Sequence, residues 1–402
     1  MYRLIIIFFY LFSVPLVFMP TTLYIYGVGG LILISVGIVL YKKTNLYLLN
    51  IWKFLIPIIC AFFLLLFFSF IINDSFDKLA ITKYVCVPYI IYPLAACFVV
   101  FILPDTMSLR EFFKTIVCVT TIQLFITLVA FFNQSFMDFL ISVQDLGEFK
   151  EITNRAIGLG FGFDHGVMII SYSMLIIIYL YLSSNYKIIY LLLFSFHVVV
   201  GFFVARTMFI SLIISLVFLL FYPSNNLSNK NKFKTKIYFF LFISVIAILY
   251  FSFFNSYLQN TKQNFTNWIL SLFITENIEN SSPGVLLKMY YFPSDFKTWI
   301  IGDGLFFIDG NTRHFYGETD SGYMRTLLLI GIPGIFIYLL FNIILFIKLR
   351  INDKKLSFLF FFFMMMNLIF FIKLVATPFY LFAFLLIGYY EKQKYKNIIR
   401  VN

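Results

Sequence analysis

The chain has 402 residues, of which 62% are hydrophobic and 22% aromatic, whereas only 12% are charged. Soluble domains carry about a quarter charged residues, so this composition excludes a soluble globular protein. With 57 Phe and a mean hydropathy of +0.95, most windows of about 20 residues are apolar enough to cross a bilayer core of about 30 Å. The composition predicts an all-α, polytopic integral membrane protein.

The net charge of +12 reflects 30 Lys and Arg against 18 Asp and Glu. We predict no nucleic-acid partner, because basic residues in membrane proteins mostly fix orientation and no basic run is interleaved with exposed aromatic residues. The cysteines fall in apolar stretches without metal-ligand spacing, which predicts neither disulfides nor a zinc site. They are Cys60, Cys86, Cys97 and Cys118.

The apolar runs predict one transmembrane domain over 1–402 with about twelve helices. The expected limits are 4–19, 23–40, 54–72, 84–103, 115–133, 163–182, 187–205, 207–222, 237–254, 322–347, 356–372 and 375–390. The last two are short, with Lys373 between them, so eleven spans are the alternative. The opening segment lacks an A-x-A cleavage site, and we interpret it as a retained first helix.

The distribution of basic residues predicts the orientation. With a cytoplasmic N-terminus, nineteen of the 30 Lys and Arg fall on the cytoplasmic side, so the positive-inside rule places both termini there. The basic loop 223–236 is then cytoplasmic. Two segments are external, an amphipathic loop over 133–162 and a large loop over 255–321. A connection as long as the second is rarely a mere linker.

Arg155 is the first candidate for binding chemistry. It immediately precedes the sixth predicted helix and is followed by Gly158, Gly160, Gly162 and Gly166. Exposed backbone N–H groups near a helix N-terminus, together with an arginine, suit a phosphate. Equally, the glycines can shape a tight re-entrant turn while Arg155 reaches lipid headgroups.

Arg206 separates two apolar runs at a sharp external hairpin. It is either a cap that snorkels to the membrane surface or a residue that points into a cavity and holds a pyrophosphate with its planar fork. Both interpretations stay open at this point.

A dense polar cluster precedes the tenth predicted helix. It contains Arg313, His314, Glu318 and Asp320, and either Asp320 or Ser321 can cap that helix. Histidine is the side chain best matched to proton transfer near neutral pH. No H-E-x-x-H spacing occurs, and Arg313 and His314 occupy unsuitable positions for a calcium loop over 309–320, so we predict no metal site.

These motifs occur in a suggestive order. An N-R-A-x-G-L segment spans Asn154 to Leu159, Arg206 follows at an outer turn, and G-x-G precedes T-D-S-G-Y-x-R-x-L-L-L-x-G-I-x-G, which ends at Gly334. In this order the chain resembles the bacterial O-antigen and capsule repeat-unit polymerases of the O-antigen polymerase and ligase superfamily. The resemblance covers the whole topology.

The resemblance implies a metal-independent, cofactor-free glycosyltransferase of lipid-dependent (GT-C-like) architecture in the bacterial inner membrane. Such an enzyme moves a growing glycan from its polyprenyl pyrophosphate carrier to the non-reducing end of a lipid-linked repeat unit at the outer face. Its partners are the polyprenyl-pyrophosphate-linked oligosaccharide and membrane lipid. A chain-length regulator protein as a further partner, the sugars and the linkage are left open.

Carried over by position, Arg155 and Arg206 are the implied pyrophosphate ligands, with Arg313 or Arg325 as helper. For the base, the resemblance implies His314 or Asp320.

Two alternatives remain. The related ligases, which move the glycan to lipid A core, carry a histidine directly before Asn or Ser near the tenth helix. This chain has Asp320 and Ser321 there, which favours a polymerase. A flippase for lipid-linked oligosaccharides needs charges inside the bundle and short external loops. Here charges within the predicted spans are nearly absent and the second external loop is long, so the sequence favours the enzyme over a flippase.

Overall fold

The computed structural model describes residues 1–15, 21–39, 46–144, 158–160, 163–183, 188–205, 207–223, 239, 284, 287–308, 311–350, 353–373 and 378–401. Helices dominate these ranges. They are α1 (Tyr2–Phe12), α2 (Thr22–Val39), α3 (Leu46–Asn73), α4 (Lys78–Ala80), α5 (Tyr92–Ile102), α6 (Leu109–Phe132), α7 (Gln134–Val143), α8 (Phe163–Ser183), α9 (Ile188–Val204), α10 (Met208–Phe221), α11 (Phe296–Ile300), α12 (Gly322–Leu349), α13 (Lys354–Phe370) and α14 (Pro378–Val401). A π-helical segment (Ile81–Ile91) joins α4 to α5, and the strands β1 (Phe307–Ile308) and β2 (Asn311–Phe315) form a hairpin.

Five helices of the described part are long and apolar enough to cross a membrane, which confirms an all-α, membrane-embedded protein. They are Trp52–Asn73, Lys78–Ile102, Leu109–Phe132, His165–Ser183 and Gly322–Leu349. The count of twelve spans and the orientation stay predictions. The predicted ninth span, 237–254, lies outside the described residues except for the helical Phe239, as does the basic loop 223–236 beyond its first residue.

Polar caps start two of the helices earlier in the chain than the apolar runs predict. The α6 helix begins at Leu109 instead of 115: Ser108 Oγ accepts from the N–H of Glu111 over 3.3 Å, and Glu111 Oε2 accepts from the N–H of Ser108 over 2.9 Å. This reciprocal pair is a capping box. Likewise α4 begins at Lys78, where Asp77 caps it, instead of at 84.

The last helix extends well beyond its predicted end at 390. Its charged second half includes Lys392, whose Nζ donates to the carbonyl oxygens of Val100 and Leu103 over 2.9 and 2.6 Å and pairs with Asp105 over 2.8 Å. The ammonium group thus satisfies carbonyl groups left free where α5 ends. The charged residues after position 390 therefore do not end α14, and one of them, Lys392, caps the end of α5.

The chain divides into two compact units. Unit 1 comprises Met1–Thr21, Met107–Ser282 and Ile351–Met366, and unit 2 comprises Thr22–Thr106, Pro283–Arg350 and Asn367–Asn402. In unit 1, α8 is almost wholly buried and packs against α6, α9 and α10. In unit 2, α14 packs against α3 and α5, and α12 packs against α3 and α14.

His197 lies at the centre of unit 1 and is fully buried. Its Nδ1 donates to the carbonyl oxygen of Leu193 over 2.8 Å, and its Nε2 lies 3.1 Å from Thr120 Oγ1 and 3.2 Å from Ser173 Oγ. Because a carbonyl oxygen only accepts, the proton of a neutral ring is on Nδ1 and Nε2 accepts. The histidine therefore ties α6, α8 and α9 together.

Candidate functional site

The β-hairpin of unit 2 leads directly into the polar cluster predicted from the sequence. Phe307 pairs with Phe315 and Ile308 with Asn311 in antiparallel register. The backbone of Arg313 and His314 lies in β2, but their side chains are outside the described part. A 3₁₀ turn, Tyr316–Glu318, follows the hairpin and brings the chain to the start of α12.

Ser321, and not Asp320, caps α12. Ser321 is buried, and its Oγ accepts from the N–H of Met324 over 3.4 Å. The carboxylate of Asp320 is consequently free of the capping role, and its side chain is 53% exposed. Of the two capping alternatives, the structure therefore selects the one that leaves an acid at the surface.

Arg325, one turn into α12, holds Asp320 in place. Its Nη2 donates to Asp320 Oδ1 over 2.7 Å, and its Nε donates to the carbonyl oxygen of Thr319 over 2.8 Å. The Cζ atom lies 3.1 Å from the centre of the Phe315 ring and 5.7 Å from that of Phe306. Only 7% of Arg325 is exposed. The guanidinium is therefore committed to protein partners, which leaves its predicted role as pyrophosphate helper untested.

The helix predicted over 322–347 corresponds to α12 (Gly322–Leu349), but its backbone is interrupted in the middle. The backbone leaves helical geometry at Ile330 (φ −141°, ψ 16°) and Gly331 (φ 70°, ψ −170°). The carbonyl oxygen of Leu328 accepts from the N–H of Asp303 over 2.5 Å, and that of Leu329 accepts from Ser69 Oγ over 2.8 Å. Other parts of unit 2 thus replace helical hydrogen bonds, as broken membrane helices require.

Two glycines permit this break. A Cβ on Gly302 (φ 79°) would lie 2.5 Å from the backbone nitrogen of Ile330, and one on Gly331 would lie 2.6 Å from the carbonyl carbon of Ile300. Only glycine allows both the positive φ and the close approach. The G-x-G and G-I-x-G parts of the predicted motif are therefore in backbone contact, a relationship that their order in the chain did not show.

Sequence reasoning missed Asp77, which anchors the hairpin. Its Oδ1 accepts from the N–H groups of Leu79 and Ala80, each over 2.9 Å, and its Oδ2 accepts from those of Phe306 and Phe307, each over 3.0 Å. The side chain is nearly buried. An Asp just before an apolar run is a helix-cap signal, so the first half of this role could have been predicted.

Asp303, on the Gly302–Gly304 turn, was also missed as a site residue. Its Oδ1 accepts from Thr298 Oγ1 over 2.6 Å, and Tyr316 is hydrogen-bonded to it. Burial first, and the nearby negative charge of Asp303 second, raise the pKa of Tyr316 above its ordinary value. The phenol consequently stays protonated and can keep donating to the carboxylate.

In unit 1, Arg155 and Arg206 lie outside the described residues, but residues 158–160, three positions after Arg155, are described. Two glutamines hold it. Gln123 donates to the carbonyl oxygen of Leu159 over 2.6 Å and accepts from its N–H over 3.3 Å. Gln144 donates to the carbonyl oxygen of Gly158 over 3.1 Å and accepts from the N–H of Gly160 over 2.6 Å.

The glycines of this segment are needed for close packing. A Cβ on Gly158 would overlap the side chains of Gln123 and Thr127, and one on Gly160 (φ 85°) would overlap the carbonyl oxygen of Phe12. The two glutamine carboxamides therefore bind a backbone that only glycine permits. This supports the interpretation of a tight turn for these residues and leaves phosphate binding by Arg155 a prediction.

In the described part of the chain, no three His, Cys, Asp or Glu side chains come together as a metal site would require. The chain matches no protein-family model, and no curated protein is significantly similar to it. The resemblance to the O-antigen and capsule polymerases therefore rests on the motifs and their order.

Proposed function

We propose that the protein is a polysaccharide polymerase of the bacterial inner membrane. It transfers a growing glycan from a polyprenyl pyrophosphate carrier to the non-reducing end of a lipid-linked repeat unit. The observation that best supports this proposal is the half-exposed Asp320 carboxylate, which the buried Arg325 holds at the start of α12. The proposal includes the twelve spans, the cytoplasmic termini and an active site on the outer face.

Asp320 acts as the base in this proposal. The acceptor hydroxyl becomes acidic as it attacks the anomeric carbon, so a carboxylate within hydrogen-bond reach is sufficient to take its proton. Asp320 uses Oδ1 for Arg325, and its exposure leaves it accessible to an acceptor sugar. His314 stays the alternative base.

In this proposal Arg325 positions Asp320, and its role as pyrophosphate helper stays a prediction. A guanidinium stacked on Phe315 and bonded to the carbonyl oxygen of Thr319 cannot reach a substrate without losing these contacts. It instead fixes the orientation of the Asp320 carboxylate, because its planar fork holds two acceptors at once.

The pyrophosphate ligands in this proposal are those implied by the resemblance, Arg155 and Arg206, with Arg313 as helper. Breaking the bond between the anomeric carbon and pyrophosphate leaves growing negative charge on the leaving group. Fixed cations that bind this charge more strongly in the transition state lower the barrier, and arginine can do so without a metal.

A flippase is the second candidate function, because α12 is discontinuous, as are many transporter helices. In transporters, however, unwound carbonyl groups face the substrate or ion. Here the carbonyl oxygens of Leu328 and Leu329 accept from Asp303 and Ser69 of the same unit. The break is thus closed by protein, which favours the enzyme.

Reconstitution tests the proposal. The purified protein in liposomes, given polyprenyl-pyrophosphate-linked repeat units, should produce a ladder of glycans that differ by one unit. In cells, deletion of the gene should leave single repeat units that still reach the surface. Units trapped on the inner leaflet would instead identify a flippase, and transfer only to added lipid A core a ligase.

A further inference from the structure

Residues 287–300 of unit 2 expose an unusual number of large apolar side chains for a segment between transmembrane helices. Phe292 and Phe296 are 89% and 74% exposed, and the others are Leu287, Tyr291 and Ile300. The segment lies within the large external loop predicted over 255–321. Contiguous exposed apolar surface usually marks a contact surface for protein or lipid.

The depth of this segment follows from the pair formed by α3 and α12. At one end, Lys348 Nζ lies 5.5 Å from the centre of the Phe54 ring. At the other end, Ser69 is bonded to Leu329. The apolar span within α3, Trp52–Asn73, covers about 32 Å at a rise of 1.5 Å per residue. This length matches a hydrocarbon core of about 30 Å, so Asn73 marks one of its boundaries.

Two contacts fix the apolar segment to this boundary, one made by its last residue and one by Gly302 just after it. Asn73 Nδ2 donates to the carbonyl oxygen of Gly302 over 2.9 Å. Two residues earlier, Ile300, which ends α11, meets Gly331 at the break in α12. The stretch from Gly331 to Lys348 covers about 25 Å, so Gly331 also lies near the boundary. The α11 helix therefore lies at the level where hydrocarbon meets headgroups.

The composition of the segment fits that level. Trp299 donates its indole N–H to the carbonyl oxygen of Pro293 over 2.9 Å, and Phe292 stacks on its ring with the ring centres 5.9 Å apart. Aromatic rings are enriched at membrane interfaces because they combine an apolar body with a polar edge. Asp295 and Lys297, both exposed, supply polar groups for the headgroup side.

We propose that residues 287–300 form an interfacial anchor, with Phe292, Phe296 and Ile300 inserted into the lipid at the Asn73 end of unit 2. The segment lies along the membrane surface and does not span it. Its occupant is the bilayer interface, because the segment shares its depth with the lipid-facing ends of α3 and α12.

The anchor also bears on the candidate site, a step that rests on the proposed function. The N–H of Asp320 donates to Sδ of Met289, inside the segment, over 3.4 Å. The anchor therefore fixes the height of the Asp320 carboxylate above the lipid. The pyrophosphate of a polyprenyl carrier lies at headgroup level, so an anchor at this level would present the base to the lipid-linked substrate.

Depth measurements with spin labels test the anchor without substrate. In a background whose four cysteines are replaced by serine, Phe292→Cys, Phe296→Cys and Glu318→Cys each receive a nitroxide label in liposomes. All three positions are exposed, so labelling does not disturb a core. We expect labels at 292 and 296 to collide with oxygen, which concentrates in lipid, several-fold more than with a water-soluble nickel chelate. The label at 318 should show the reverse.

Labels at 292 and 296 that meet the nickel chelate as readily as the label at 318 would overturn the anchor and place the aromatic residues in water, where they could stack on sugars. The glycan ladder of the unlabelled protein is measured separately. Lipid-embedded labels without a ladder would refute the polymerase and leave the anchor standing. Water-exposed labels with a ladder would refute the anchor alone.

Discussion

The hydroxyl group of Ser69 donates to the carbonyl oxygen of Leu329 over 2.8 Å, across 260 positions of the sequence. Both residues are fully buried. Since an unpaired carbonyl in hydrocarbon costs several kcal/mol, this bond from α3 helps to make the break in α12 tolerable at the membrane. Ser69 thus stabilises the break in α12, although nothing in its local sequence distinguishes it.

Gly331→Ala should destabilise unit 2. The substitution forces an L side chain to φ 70° and places a Cβ against the backbone of Ile300, which cannot yield as a flexible side chain would. We expect a loss of about 1–3 kcal/mol in the free energy of unfolding, measured by thermal denaturation in detergent. Gly27→Ala is the control, because its Cβ would meet only side-chain methyl carbons of Ile91, the nearest at 3.2 Å, and the Ile91 carbonyl oxygen at 3.8 Å. Equal stability of the two variants would contradict the strain argument.

Asp320→Asn should abolish glycan transfer while the protein stays folded. The amide oxygen can still accept from Arg325 Nη2, but it cannot take a proton from the acceptor. We expect at least a hundred-fold lower rate of ladder formation, in keeping with typical general-base contributions, and an unchanged melting temperature. A variant that retains more than half of the wild-type rate would exclude Asp320 and point to His314.

Gln144→Glu should loosen the segment that follows Arg155. A carboxylate still accepts from the N–H of Gly160 but no longer donates to the carbonyl oxygen of Gly158, and Gln144 is fully buried. We expect a loss of about 1–3 kcal/mol of stability, measured by denaturation in detergent. Gln134→Glu, at an exposed position of α7, loses only an exposed hydrogen bond to Asp138 over 2.9 Å and should cost at most about 0.5 kcal/mol. An equal loss of stability in both variants would contradict the role of Gln144 in holding residues 158–160.

Arg206→Lys tests the pyrophosphate site. If the guanidinium binds two phosphate oxygens with its fork, Lys should impair transfer nearly as much as Ala, because an ammonium keeps the charge but loses the geometry. The amount of protein in the membrane should not change. Arg110→Lys, on the predicted cytoplasmic side, is the control. Full-length polymer with both Arg206 variants would show that the residue is only a cap.

Reporter fusions test the orientation. An enzyme reporter that folds only outside the cytoplasm should be active when fused after Asn280 and inactive after Asn229, because most basic residues fall on the side of the second position. Activity is normalised to the amount of fusion protein. The opposite pattern would move the candidate site to the cytoplasmic face and remove the proposed function.

The sequence alone determined the class of the protein, because partition into a bilayer depends on apolar composition and not on which helix packs against which. Fifty-seven phenylalanines and few charges predict membrane helices in almost any arrangement. Helix-capping signals, such as Ser108 with Glu111 or Asp77 before an apolar run, likewise involve residues no more than four positions apart, so they can be recognised in the sequence. The boundaries of α4 and α6 could therefore have been predicted more closely than the apolar runs alone allowed.

Only the tertiary structure decided which groups the candidate site residues contact. The sequence offers Arg325 as a cation available to a substrate, but in the fold its guanidinium packs on Phe315 and pairs with Asp320. In the sequence, the residues around Gly331 have the pattern of an ordinary apolar helix. In the fold, Ser69 and Asp303 donate hydrogen bonds to the carbonyl oxygens that the break leaves without helical donors. A contact between residues far apart in the chain depends on where the backbone lies, and no local pattern encodes that position.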